Sequence, residues 1–332
     1  AIGYEALYTQ DAGADAYNLA IGYQAGKLIQ TGGYNHLIGA FAGDALTTGT
    51  SNVAIGYAAL SAEDTGARSI AIGEGALQVQ NNDANNYNIA IGHHAGNAVT
   101  SGVENTLVGG LAGDALTTGS YNVAIGKDAL SAEDTGGRNV AIGRKALTNQ
   151  NYDGTAYNIA IGHEAGKEVT TGTDNVLAGA FTGDALTTGQ YNVAIGRSAL
   201  STEDAYGYNV AVGAFALLNQ NAADNAFNVA VGYNTGQGIT TGVRNTIIGG
   251  SAGVSITTAS DNVAIGYDAL GDETTGGSNI AIGKEAMSSS QLSQHNVAIG
   301  VEALQNVTND PLKNTYNIGI GYQAGNDITT GE

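Results

Sequence analysis

The chain has 332 residues with 51 glycines and a single proline, and it contains no cysteine, which excludes disulfides, thiolate metal sites and thiol nucleophiles. Charged residues make up 12% of the sequence, roughly half the usual share, yet the formal net charge at pH 7 is −19. Because phosphate backbones and anionic membranes repel so acidic a chain, and no run approaches 18 consecutive apolar residues, we expect neither a nucleic-acid partner nor membrane insertion.

The sequence is an array of one motif, Asn-(apolar)-Ala-(Ile or Val)-Gly, as in residues 52–56. Its glycine occurs nineteen times, from Gly3 to Gly321, mostly at steps of 17 or 19 residues. Four successive steps form a superperiod, which runs first from Gly3 to Gly73 and then from Gly73 to Gly143. The array is unbroken, so we predict a single continuous domain over residues 1–332. Since the chain opens within the motif, we expect it to be an excerpt of a longer polypeptide.

Each step begins with a β-branched run, continues through a patch of small residues and ends in a turn such as residues 46–49 (Leu-Thr-Thr-Gly). A step of 17 residues is too short for a strand and a helix, and no window has apolar residues at helical spacing. We therefore predict an all-β fold, a parallel β-solenoid of about 19 coils of 17 to 21 residues, each with two short strands and two turns. At about 4.8 Å per coil, the solenoid is a rod roughly 90 Å long.

The strand of each coil is apolar on both faces. Val53 and Ile55 point to one face and Ala54 to the other, because side chains alternate along a strand. One face is expected to line the lumen, and the other is expected to be buried against partner chains, since soluble monomers seldom expose a long apolar stripe. We predict an oligomer closed around a rotation axis. Its stripe, defined in equivalent coils, comprises Val53, Ile55, Val123, Ile125, Val193, Ile195, Val263 and Ile265.

Two further motif positions have predicted structural roles. An asparagine stands four residues before the glycine, and stacked asparagines can close the turn and link successive coils through their amides. The motif glycine is expected at a bend that needs a positive φ or a close backbone approach. The turn asparagines of the equivalent coils are Asn52, Asn122, Asn192 and Asn262.

The repeated Asn-Val-Ala-Ile-Gly, with a Thr-Gly turn between copies, resembles the YadA-like head repeats of trimeric autotransporter adhesins. Coils such as residues 56–60 (Gly-Tyr-Ala-Ala-Leu), with Thr-Thr-Gly-x-Tyr-Asn before the next strand, are more similar to the versions in bacteriophage tail fibres. The resemblance covers essentially the whole chain. It implies a left-handed β-roll, a homotrimer around one axis, a role in surface attachment, and an extracellular location on a virion or a bacterial cell.

Once per superperiod a coil carries a longer loop rich in Asn, Gln and Asp that ends in an aromatic residue. Amides beside an aromatic ring suit sugar hydroxyls and ring faces, so these aromatics are candidate contacts for a host-surface glycan or protein receptor. A solvated spacer loop has the same composition. The candidate aromatics are Tyr17, Tyr87, Tyr157, Phe227 and Tyr316, which end loops 8–17, 78–87, 148–157, 218–227 and 305–316.

A second set of turns is acidic, and paired carboxylates can bind calcium. The Gly/Asp nonapeptide of calcium β-rolls is absent, so we expect these pairs to keep the outer surface soluble. His93, His94 and His163 occupy equivalent turns and are likewise expected at the surface. We therefore predict no metal site. The acidic pairs are Glu63-Asp64, Glu133-Asp134, Glu203-Asp204 and Asp272-Glu273.

The sequence carries no recurring combination of serine, histidine and acid, so we predict no catalytic residues and no cofactor, and we do not expect an enzyme. The leading interpretation is a structural and adhesive fibre segment, a trimeric rod that spaces or presents host-attachment sites as in a phage tail fibre. A bacterial trimeric autotransporter adhesin head is the alternative. An ice-binding solenoid is a remote third, because the row containing Thr31, Thr48 and Thr65 is interrupted at Ala84.

Overall fold

The computed structural model describes residues 1–11, 13, 15–307 and 316–328, and these form an all-β structure of 18 strands with three residues each. The described residues contain no helix, and so none long and apolar enough to cross a membrane. The chain divides into two compact units, Ala1–Thr171 and Gly172–Glu332. Each unit contains nine of the strands.

In the first unit, the nine successive strands pair in parallel with one another. Val53 is opposite Ile70 and Ala54 is opposite Ala71, so equivalent motif positions lie in register. The strands are β1 (Leu19–Ile21), β2 (His36–Ile38), β3 (Val53–Ile55), β4 (Ile70–Ile72), β5 (Ile89–Ile91), β6 (Thr106–Val108), β7 (Val123–Ile125), β8 (Val140–Ile142) and β9 (Ile159–Ile161).

The second unit is built in the same way. Val193 pairs with Val210 and Ala194 with Ala211, again in parallel and in register. The predicted parallel β-solenoid is therefore confirmed in each unit. The strands are β10 (Val176–Ala178), β11 (Val193–Ile195), β12 (Val210–Val212), β13 (Val229–Val231), β14 (Thr246–Ile248), β15 (Val263–Ile265), β16 (Ile280–Ile282), β17 (Val297–Ile299) and β18 (Ile318–Ile320).

In the structure a coil contributes one strand, which contains the motif, whereas the sequence predicted two strands per coil. The segment after the motif glycine is a turn in which alternate residues adopt a left-handed backbone, as at Ala58 (φ 52°) and Leu60 (φ 53°). These residues cannot continue an extended strand. They still bond to neighbouring coils, since Ala58 N donates to Ala40 O at 3.0 Å and Leu60 N to Ala76 O at 3.0 Å. The turn thus replaces the second strand without leaving these amides unpaired.

The lumen of the solenoid is filled by the strand alanines and by leucines from the turn. Ala54 and Leu60 are both fully buried. In other coils the position that corresponds to Leu60, four residues after the motif glycine, is itself a glycine, such as Gly43. Leucines from other positions then fill the space. A Cβ on Gly43 would lie 2.8 Å from Leu46 Cδ1 and 2.9 Å from Leu37 Cδ2. Large and small residues therefore complement one another from coil to coil and form a close-packed interior.

The turn asparagines are buried and form a ladder along the stack of coils. Asn122 Oδ1 accepts the N–H of Asn139 at 3.0 Å, and Asn122 Nδ2 donates to the carbonyl of Gly136 at 3.0 Å. Asn192 and Asn262 take equivalent places in the second unit, where their Oδ1 atoms accept the N–H groups of Asn209 and Asn279. Each asparagine therefore satisfies backbone groups that the turn would otherwise leave unpaired.

Candidate binding surfaces

The Val/Ile stripe lies on the outer face of the sheet in each unit. In β3 the outer residues Val53 and Ile55 are partly exposed while Ala54 between them is buried. Ile125 in the first unit is 37% exposed and Ile195 in the second is 41% exposed. The sequence left open which face lines the lumen, and the structure places the alanines there. The β-branched residues Val123, Val193, Val263 and Ile265 are also outward and partly exposed.

The candidate aromatics belong to a column of side chains that directly precede the ladder residues. Tyr17, Tyr87, Tyr157, Phe227 and Tyr316 are all exposed and have φ between 49° and 53°. We use the name aromatic column for all residues that directly precede a ladder residue. The column also contains residues that were not predicted from the sequence. Their common signal is the same position, one residue before the asparagine or its substitute. The missed members include Tyr34, Arg68, Tyr121, Arg138, Tyr191 and Tyr208.

Within the aromatic column, side chains stack on those of adjacent coils. The ring of Tyr208 lies between those of Tyr191 and Phe227, with centroids 5.0 and 5.1 Å away. The Arg138 guanidinium lies 5.3 Å from the Tyr121 ring centre and 5.8 Å from that of Tyr157. Because neighbours cover these ring faces, the column offers fewer open faces to a sugar than the sequence suggested.

The remaining candidate aromatics have similar neighbours. Tyr17 stacks on Tyr34 at 5.4 Å between centroids. Arg68 Nη1 donates to the Tyr87 hydroxyl at 2.6 Å. The ring of Tyr316 lies 5.2 Å from that of His295. The loop that ends at Tyr316 has its residues 308–315 outside the described part of the chain.

Beside the aromatic column, each unit has a shallow polar groove. The groove of the first unit has a volume of about 270 Å³, and the groove of the second about 210 Å³. The hydroxyl and guanidinium groups of the first groove, and the hydroxyl and amide groups of the second, can form hydrogen bonds to a polyol. The lining side chains include Thr118, Ser120, Tyr121, Thr135, Arg138 and Thr155 in the first groove, and Thr188, Gln190, Tyr208 and Asn225 in the second.

The acidic turns correct the sequence interpretation. Glu63, Glu133, Glu203 and Glu273 are fully buried, so these four carboxylates do not make the outer surface soluble. Each points inward because the turn needs an acceptor for its backbone. Glu63 Oε1, for example, accepts the Gly66 N–H at 2.7 Å, while Oε2 accepts bonds from Gln80 and Asn86 at 3.0 Å.

The buried glutamates differ in the number of donors around them. Glu133 Oε1 accepts the Gly136 N–H at 2.7 Å, and Oε2 accepts the Tyr152 N–H at 3.3 Å. Burial raises the pKa of the Glu133 carboxyl to about 7, and these hydrogen bonds only partly oppose the shift. Burial also raises the pKa values of Glu63 and Glu203. Glu273 accepts bonds from Thr274, Gly276 and Leu292 on one oxygen and two from Ser293 on the other.

Raising the pH is expected to destabilise the protein through Glu133. A folded pKa of about 7 lies above the usual 4.5, so the folded state holds the proton more tightly. This contribution to stability is complete below about pH 4.5 and is lost as the pH rises through 7. Relative to Glu133→Gln, wild-type stability should fall by about 2 kcal/mol between pH 5 and 8, below the full linkage value because solvent screens charges near the surface. Denaturant unfolding across this range measures the difference.

Glu273→Gln is the matched comparison. Its amide group would face a backbone N–H or hydroxyl donor in either orientation, so we expect destabilisation throughout the same pH range. If wild type and Glu133→Gln have parallel stability profiles, Glu133 does not carry the pH dependence.

Comparison of the chain with protein-family models, with curated proteins and with solved structures finds no match. The Val/Ile stripe suits association with another protein surface, and the hydroxyl-lined grooves beside the aromatic column suit small polar ligands such as sugars. The two grooves are lined by residues at equivalent positions of successive superperiods, although most of the side chains differ, as Ser120 and Gln190 do.

Proposed function

We propose that the chain is a structural and adhesive fibre segment, a homotrimer joined through the Val/Ile stripe. The segment spaces or presents attachment sites for a host-surface glycan or protein receptor, outside the cell, on a virion or a bacterial surface. The observation that carries this proposal is the outward stripe. In each unit, coil after coil presents β-branched side chains to solvent while the alanine between them fills the lumen.

The stripe supports association because its apolar area is repeated. Burial of apolar surface contributes about 25 cal/mol per Å², so a small gain at each coil accumulates over the coils of a unit. The strands are also short and in register, which keeps the exposed side chains in two rows. Identical rows meet most simply around a rotation axis. The resemblance to YadA-like head repeats supports three as the number of chains.

The grooves and the aromatic column support the adhesive part of the proposal. Both lie on the outer surface and combine hydroxyl groups with aromatic and guanidinium side chains. Repetition multiplies weak contacts, because one receptor surface can engage equivalent sites on several chains at once. A fibre segment can therefore attach firmly with individually weak sites.

The oligomeric state tests this proposal. Light scattering across a range of protein concentrations is expected to give one species at three times 33.3 kDa. The double variant Ile125→Lys/Ile195→Lys should dissociate to the monomer, because it places charges in the apolar stripe of each unit. Circular dichroism should keep its β-sheet signal, since both positions are partly exposed within the chain.

The control Thr118→Lys/Thr188→Lys adds the same charge at exposed turn positions outside the stripe and should remain trimeric. A monomeric wild-type protein, or a stripe variant that stays trimeric, would contradict association through the stripe.

A further inference from the structure

Glu74, His93 and His94 form a compact cluster of potential metal ligands on the surface of the first unit. One ligand atom from each residue lies within 4.8 Å of the others, and this is the one such group of three among the described residues. Glu74 and His93 are exposed, and His94 is partly exposed. A metal ion can therefore reach all three from solvent.

The stacking of coils brings these residues together. Glu74 follows the glycine after β4 and His93 follows the glycine after β5, and the two strands are paired in register. The backbone N–H of His94 donates to the Glu74 carbonyl at 2.9 Å, which holds the backbone of His94 beside that of Glu74. The two imidazole centroids are 4.2 Å apart.

Gly75 leaves space for the ring of His94. A Cβ at this position would lie 3.3 Å from His94 Cε1 and 3.4 Å from His94 Nδ1. The residue two places after the motif glycine bears a side chain in other coils, as at Glu5, Phe41 and Lys145. The absence of a side chain at Gly75 is therefore matched to the imidazole that packs there.

The equivalent coil of the next superperiod shows that this position accommodates a cation. Arg144 replaces Glu74, His163 replaces His93 and Glu164 replaces His94. The Arg144 guanidinium lies 3.0 Å from His163 Nε2 and 3.5 Å from Glu164 Oε1. A positive group is thus held between an imidazole and a carboxylate at the equivalent site.

We propose that Glu74, His93 and His94 bind one divalent transition-metal ion of the Zn²⁺ class. Two neutral imidazoles and a carboxylate are ligands that such ions prefer over Ca²⁺ or Mg²⁺. The ligand atoms around a tetrahedral zinc ion lie about 3.4 Å apart, whereas those of the cluster lie within 4.8 Å of one another. Small side-chain rotations, which are fast at a surface, bring the three ligand atoms to the shorter spacing.

Calorimetry with Zn²⁺ at pH 7.5 tests the proposal on the full chain, prepared with a chelator and without a histidine tag. The expected result is one Zn²⁺ per chain, and a tetrahedral absorption spectrum when Co²⁺ replaces it. His93→Gln and His94→Gln should each weaken Zn²⁺ affinity at least about tenfold, as loss of a ligand requires. A tenfold excess of Ca²⁺ should not displace the bound Zn²⁺.

His163→Gln is the matched control, because it removes an equivalent histidine outside the cluster, and it should bind like wild type. All variants should unfold at the wild-type temperature in the presence of chelator, since these side chains lie at the surface. The proposal is overturned if the wild-type protein binds no Zn²⁺ at metal concentrations up to about 100 µM. It is also overturned if the double variant His93→Gln/His94→Gln binds as wild type does, or if Ca²⁺ competes.

Discussion

Replacement of Gly126 by alanine is expected to lower the free energy of unfolding by at least about 3 kcal/mol, because two effects combine. The backbone of Gly126 has φ +137°, a conformation that residues with a side chain rarely adopt. A Cβ would also lie 2.5 Å from the carbonyl oxygen of Gly143 and 2.6 Å from its carbon. Those atoms belong to the backbone of the next coil, which cannot move without disturbing the β7–β8 pairing.

Gly321→Ala separates the two effects. Gly321 has a similar φ of +122°, but no atom of the described part of the chain lies within 4 Å of its Cβ position. Alanine there should cost only the backbone strain, about 1 to 2 kcal/mol. Thermal unfolding together with hydrogen exchange of amides near each site measures both losses. Equal losses in the two variants would show that the close approach to Gly143 contributes nothing.

Asn122→Ala is expected to destabilise the protein by about 2 to 4 kcal/mol, the second-largest effect we predict. The substitution removes the acceptor of the Asn139 N–H and the donor to the Gly136 carbonyl, each at 3.0 Å. Asn139 and Gly136 are both buried, so solvent has little access to these two backbone groups once the amide is removed. The Gly136 N–H is held by Glu133 at the same turn, so loss of Asn122 also loosens that carboxylate.

Asn139→Ala provides a control within the same ladder. Asn139 Oδ1 accepts the N–H of Asn158 at 3.2 Å, but its buried Nδ2 has no hydrogen-bond partner among the residues that the structure describes. This variant therefore loses one hydrogen bond and should cost about half as much as Asn122→Ala. Denaturant unfolding of the two variants gives the comparison. If Asn139→Ala costs as much as Asn122→Ala, the side-chain amide of Asn122 is not what stabilises the turn.

The repeat spacing was enough to predict the stacking of coils, because a covalent repeat of 17 residues with one apolar run leaves few alternatives. The second strand was predicted wrongly for a specific reason. Ala58 and Leu60 have positive φ, and neither residue type signals such a conformation. Their conformation is imposed by hydrogen bonds to adjacent coils, which a reading of one coil cannot reveal.

The outer surfaces were difficult to predict for the same reason, because their side chains contact residues of neighbouring coils. Glu63 looked like a surface residue because its type is rarely buried, and only the nearby Gly66 N–H explains its inward position. Glu74 was missed because its histidine neighbours lie in the next coil and are distant from it along the sequence. Tyr121 and Arg138 were missed although they share the position of the aromatics that were chosen. Alignment of every coil on its asparagine would have found this column.

The asparagine ladder has a mechanical consequence. Its hydrogen bonds, like those of the strands, run along the direction in which the coils are stacked, so tension in that direction is carried by the coil contacts in series. When one contact fails, a 17-residue coil is released that occupies about 4.8 Å in the stack and reaches roughly 60 Å when extended. Because the coils have 17 to 21 residues, an anchored segment would yield in steps of similar length and dissipate work at each one, which limits the peak force on whatever it holds.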